Sequence, residues 1–179
     1  IMNNFRENDI LILIGAGCSK EAGIPTSIDM VKKIEQLIKE NKDWEEYKNL
    51  YYFIKSCILY ADGLKGMYEE NLNIERLVNT LNELEKKEEH PIFPFIGSWN
   101  SKVVELCGSN FGKLKQLKAK ILENVKIWVT LDDYSKANYY KYLIQFQNQF
   151  EFPLRIFSLN YDLCLEKNNI EHNNFMIEL

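Results

Sequence analysis

Residues 9–28, DILILIGAGCSKEAGIPTSI, decide how the chain is read. Five apolar residues, 10–14, run directly into Gly15-Ala16-Gly17, and a third glycine opens Gly23-Ile24-Pro25. A short apolar run ended by glycine predicts a strand buried on both faces, as in a parallel sheet. Thr26 or Ser27 then caps a helix over about 28–40, and Thr26-x-x-Asp29 has the form of a capping box with Asp in place of Glu. A strand feeding a glycine turn and then a helix is a geometry that holds phosphate. Backbone N–H groups and the positive helix end meet the anion, and glycine removes the Cβ that would block it. The spacing of Gly15, Gly17 and Gly23 is not the dehydrogenase G-x-G-x-x-G, and no Gly-Lys-Ser/Thr follows to make a P-loop. The turn by itself is equally a phosphate cradle and a plain strand-to-helix connection of an α/β core.

Outward from that stretch the pattern turns helical. Apolar residues recur at helical spacing over 44–60. Asn73 is placed to cap a helix carrying Ile74, Leu77, Val78, Leu81 and Leu84 on one face. Pro91 and Pro94 break the chain. Residues 111–129 are amphipathic, and 135–150 form a further helix rich in tyrosine. After Pro153, LRIFSLNYD (154–162) reads as a second strand ending in polar residues, and 163–167 begin another helix. No repeat or low-complexity linker occurs. The layout predicts an α/β fold. A Rossmann-like parallel sheet carries a large all-helical insertion, residues 28–150, between its first two recognisable strands, all within a single domain over 1–179. A doubly wound sheet has about five or six strands and two are evident, so the domain is expected to be incomplete at its C-terminal end.

The second strand bears on the first. In open α/β sheets ligands sit beyond the carboxyl ends of the strands. SLNYD occupies that edge on the second strand as Gly-Ala-Gly does on the first. Asn160 and Asp162 alternate with Tyr161, so both point the same way if the strand persists. A carboxamide and a carboxylate beside a phosphate cradle make a nucleotide site. Taken singly, Asp162 ahead of LCLEK reads equally as a helix cap.

Composition sets the class. The 179 residues are 46% apolar and 27% charged, ordinary for a globular protein with a real core. The net charge of −4 argues against a chain that coats nucleic acid. Five lysines over 113–126 read as the solvated side of a helix. No apolar run approaches the roughly 18 residues of a membrane span, so no membrane partner is expected. The four cysteines form no C-x-x-C, which disfavours a zinc site, and with no secretory leader they read as reduced thiols of a cytoplasmic protein. Cys18 reads as a small buried spacer. The aromatic runs YKNLYYFIKSCILY and NYYKYLIQF read as core or subunit interface rather than a stacking platform for bases.

GAGCSKEAGIP followed far downstream by LNYD resembles the sirtuin (SIR2) superfamily. Gly15, Ala16, Gly17, Ser19, Gly23, Ile24 and Pro25 fit its first motif, and Asn160 and Asp162 its second. The two motifs cover the ends of the chain, and the helical middle agrees by layout alone. Protein deacylase sirtuins have Asp-Phe-Arg where this chain has Thr26, Ser27 and Ile28. They also have Gln where it has Leu159, and carry a four-cysteine zinc module it lacks. The pattern looks more like the SIR2-like domains of bacterial anti-phage defence proteins, whose studied members cleave NAD+. The segment NIERLV in the insertion has the look of that branch.

The resemblance implies an NAD+ glycohydrolase that takes NAD+ as substrate, uses no metal, and acts as an effector by depleting NAD+. It puts the diphosphate on the turn at 15–19, the ribose hydroxyls or the attacking water at Asn160, and the nicotinamide carboxamide at Asp162. Family members also use a histidine as acid or base, set in a His-Gly pair that has no counterpart here. His172, the only histidine after the second motif, is the candidate in this chain, although a histidine in such a setting reads more readily as a solvated surface residue. Family members form large homo-oligomers, and some work with a HerA-like hexameric ATPase. The competing readings are a non-catalytic NAD+ or ADP-ribose-binding or assembly module and, disfavoured by the missing zinc cysteines, an NAD-dependent protein deacylase.

Overall fold

The computed structural model describes residues 5–7, 9–68, 71–89, 101–108, 110–169 and 176–178. In chain order these hold β1 (Leu11–Ile14), a 3₁₀ turn (Ala16–Ser19), α1 (Ser27–Glu40), α2 (Lys42–Glu45), α3 (Lys48–Leu64), α4 (Ile74–Glu85), α5 (Ser101–Cys107) and α6 (Gly112–Val129). A short 3₁₀ segment (Lys87–Glu89) lies between α4 and α5, and a further 3₁₀ segment (Tyr134–Tyr140), α7 (Lys141–Gln147), β2 (Arg155–Ser158), α8 (Cys164–Asn169) and β3 (Met176–Glu178) follow α6. The chain divides into two compact units, one made of Ile1–Thr26 with Lys126–Leu179 and the other of Ser27–Val125.

The first unit is α/β. Its sheet runs β1-β2-β3, both pairs parallel, with Ile14 opposite Ser158. Parallel strands need a long crossover, which the chain between β1 and β2 supplies; no strand occurs there among the described residues. The Leu159 N–H donates to the Ile14 carbonyl at 2.9 Å and carries the ladder one residue past β2. The C-terminal ends of the two strands, with both motifs, therefore lie side by side. β3, over three residues, has no signal in the sequence pattern and was not anticipated.

Two expectations are corrected here. β1 is buried on one face, not both: Ile14 is 3% exposed, whereas Leu11 and Leu13 are 60% and 67% exposed. The inward face packs with Ala22, Ile24, Ala137, Tyr140, Ile156, Cys164 and Leu165 into one cluster. The helix expected over 135–150 is a 3₁₀ segment followed by α7. The first turn is set by Asp133, whose carboxylate accepts from Ser135 N–H at 2.9 Å, and Ala137 departs from helical geometry at φ −99°, ψ 16°. α7 then stops at a buried glutamine. Gln147 donates to the Phe152 carbonyl at 2.8 Å and accepts from Leu154 N–H at 2.5 Å, which fixes where β2 begins.

The second unit is helical throughout its described residues. Ile34, Trp44, Leu50, Tyr51, Ile54, Leu77, Leu81, Leu114, Leu117 and Ile121 are almost fully buried. Asn73 caps α4 as its position predicts, accepting from Arg76 N–H at 2.8 Å. Asp62, at 2% exposed, is held by both terminal nitrogens of Arg76, one of them at 2.6 Å. This unit ends at Val125. Residues 126–150, placed with the insertion on sequence grounds, instead belong to the sheet unit, because Ala137 and Tyr140 fill the core beneath β1 and β2.

Candidate functional site

The first motif separates into parts with different physical roles. Gly15 is extended (φ −114°, ψ 172°), and its carbonyl accepts from Cys18 N–H at 2.9 Å to open the 3₁₀ turn. That bond engages the Cys18 amide within the turn itself. Ala16 and Gly17 precede the first turn-closing bond, as the leading N–H groups of any helix do. A Cβ added at Gly15 or Gly17 would meet nothing within 4 Å, so the turn faces open space there. Gly23 serves the backbone: its φ of 99° is a conformation side chains rarely adopt. Ile24 and Pro25 are buried, Ile24 among the core residues.

Ser19 is the hub. It is fully buried and meets three side chains. Its hydroxyl donates to Asp162 Oδ1 at 3.0 Å, accepts from Asn160 Nδ2 at 3.0 Å, and lies 3.2 Å from the Tyr140 hydroxyl. A serine has one proton and two lone pairs. With the proton given to the carboxylate, both remaining partners must donate, so Tyr140 donates as well. Burial pushes the Tyr140 phenol well above its ordinary range, which keeps that proton in place.

Asn160 and Asp162 both reach Ser19, with the exposed Tyr161 between them, although β2 ends at Ser158 and the strand alternation argued for them does not persist. Asp162 caps the start of α8 and also holds Ser19. Its Oδ1 takes the Ser19 proton and also the Cys164 N–H at 2.9 Å, at the start of α8. Burial, and then the neighbouring Asp162 carboxylate, push the Cys164 thiol up to about 12. The Asn160 carboxamide is spent at its nitrogen only. Its Oδ1 is buried and has no hydrogen-bond partner among the described residues. His172 lies outside the described residues, as does His90.

No protein-family model, curated protein or solved structure matches the chain.

The sequence reading missed Tyr139 and Tyr140. Tyr139 donates to the Cys18 carbonyl at 2.6 Å, so consecutive tyrosines grip consecutive residues of the turn. Burial raises the Tyr139 phenol to about 12. Their signal was a tyrosine on the apolar face of a helical pattern, since a buried phenol requires a partner. Cys18, expected as a buried spacer, is exposed, and it is its carbonyl that is used. Among the described residues no group of three His, Cys, Asp or Glu could hold a metal, and no helix is long and apolar enough to cross a membrane.

Proposed function

We propose that the sheet unit is a Rossmann-like nucleotide-binding fold and that the protein hydrolyses NAD+ to nicotinamide and ADP-ribose, as an effector of bacterial anti-phage defence. One observation carries this reading: Asn160 and Asp162 converge on Ser19 of the glycine motif, 141 and 143 positions away. Two motifs that resemble one family by letters are thereby one cluster in space.

The site fits the substrate in two respects. The turn is open where Gly15 and Gly17 lack side chains, which suits a diphosphate against the Ala16 and Gly17 amides. The buried, partnerless Asn160 Oδ1 suits a ribose hydroxyl or a water, both of which can donate to it. In the reaction the bond between ribose C1′ and the nicotinamide nitrogen breaks. A water oxygen bonds to C1′, and one proton is released. The turn would hold the diphosphate, and Asn160 would align the hydroxyl or the water. Asp162 can meet the nicotinamide carboxamide only in competition with Ser19 and the Cys164 amide.

That last point favours a second reading, a non-catalytic module that binds NAD+ or ADP-ribose, because capping α8 and holding Ser19 is a structural use of Asp162. Nicotinamide release from NAD+ by the whole protein separates the two. Release that disappears in a folded Asn160→Ala variant is the expected result. Wild-type turnover by that variant overturns the catalytic assignment, and ADP-ribose binding with no release by wild type favours the module.

A further inference from the structure

We infer that Tyr140 is a positioning residue which, together with Asp162, sets the Ser19 hydroxyl so that the Asn160 carboxamide is held by its nitrogen with its oxygen offered to a ligand. The inference rests on the proposed function only for what that ligand is. The argument is one of proton order. Asp162 Oδ1 already accepts from the Cys164 amide and, as a carboxylate, can only accept from Ser19. Ser19 then presents two lone pairs. Tyr140 fills one, and the other takes the Asn160 amide nitrogen at 3.0 Å. A flipped carboxamide would set its oxygen against a lone pair. With the Tyr140 proton removed, the Ser19 proton stays on Asp162, but the Ser19 oxygen loses one of the bonds that fix its position, and the Asn160 amide bond to that oxygen loosens.

Tyr140 is built for this use and not only for filling space. It is 4% exposed in the cluster that holds Ile14, Ala22, Ile24, Ile156 and Cys164, so its ring is fixed by packing while its hydroxyl reaches the Ser19 side chain. Its neighbour Tyr139 offers an internal control. That hydroxyl comes from the same segment and grips the same turn, but bonds the Cys18 carbonyl and leaves the Ser19 side chain untouched.

The test reads the carboxamide directly. In 15N-labelled protein the Asn160 side-chain amide pair is identified as the pair absent from Asn160→Ala. Tyr140→Phe keeps the ring, and circular dichroism checks that it is folded. The pair is expected to shift in Tyr140→Phe and to exchange with solvent about two- to tenfold faster, what one neutral hydrogen bond is worth. In Tyr139→Phe it is expected to stay in place. Nicotinamide release by Tyr140→Phe should fall by a similar factor at unchanged KM. An Asn160 pair that does not move in Tyr140→Phe, or moves equally in Tyr139→Phe, overturns the inference. A pair that moves as expected in a protein that neither binds ADP-ribose nor releases nicotinamide leaves the positioning intact and removes NAD+ as the ligand.

Discussion

Ser19 and Asp162, 143 positions apart in the chain, share a buried hydrogen bond of 3.0 Å. It joins the end of the glycine turn to the start of α8. It also engages the Ser19 hydroxyl within the protein, so Ser19 holds the cluster together.

The Ser19→Ala variant should therefore lose stability before it loses anything else. The change strands the Tyr140 hydroxyl and the Asn160 amide and takes one donor from a buried carboxylate. Orphaned groups of this kind cost about 1–3 kcal/mol. Urea denaturation of wild type and variant measures it. An unchanged midpoint with weakened ADP-ribose binding would return Ser19 to the ligand.

Gly17→Val separates the open turn from the fold. A Cβ there meets nothing within 4 Å, and Gly17 is not among the positive-φ glycines, so the variant should fold as wild type does. Its branched side chain would occupy the space assigned to the diphosphate. ADP-ribose affinity is expected to fall at least tenfold, roughly 1.4 kcal/mol, by calorimetry. Wild-type affinity in the folded variant removes the phosphates from this turn.

Acid should destabilise the helical unit through two paired carboxylates. Hydrogen bonding from Arg76 holds the Asp62 carboxyl below its ordinary range, and Lys118 does the same for Glu85. Unfolded carboxyls titrate near pH 4. Below that value the unfolded chain takes up protons the folded one still refuses. The stabilisation is complete above about pH 4 and is lost as pH falls through the lower folded values. The melting temperature should hold from pH 7 to 5 and drop below 4, with a shallower drop in Asp62→Asn. A flat profile down to pH 2.5 contradicts this.

Thiol chemistry should divide the cysteines in pairs. Cys18 and Cys57 are exposed, while Cys107 and Cys164 are buried with thiols pushed up by desolvation. Thiolate is the reactive form. A disulfide reagent on native protein should titrate Cys18 and Cys57 quickly and the other two only on unfolding. Fast modification of Cys164, mapped by mass spectrometry, would mean that the Asp162 cluster opens readily.

The sequence made the two paired strands and the Asn73 cap legible, because each rests on local signals: apolar runs and a capping residue. The convergence of Asn160 with Asp162 does not come from the strand alternation argued for it, since β2 ends at Ser158 and both residues lie beyond it. The sequence did not disclose the one-sided burial of β1, since an apolar run looks the same whether one face or both are covered. It assigned Tyr140 to a core and missed that a phenol in that core needs a partner, which only the fold supplies. Three-residue β3 lies below any periodicity. The boundary at Val125 was hidden because α6 runs through it as one amphipathic helix.

The parallel pairing of β1 with β2 also sets an order of events in folding. β1 leaves the ribosome before β2, and the strand it pairs with among the described residues is not complete until residue 158 has been made. Translation at about 5–20 residues per second puts a delay on the order of ten seconds between the two strands. Over that interval Leu11 and Leu13, with Ile12 and Ile14, form an unpaired apolar segment. The residues of the helical unit are all synthesised within it, and that unit can condense on contacts of its own. A condensed unit shortens the flexible chain left to be closed, and with it the entropy lost when β2 arrives. The candidate site, whose partners stand 121 to 143 positions apart, therefore forms only after the residues of the helical unit and β2 have been made.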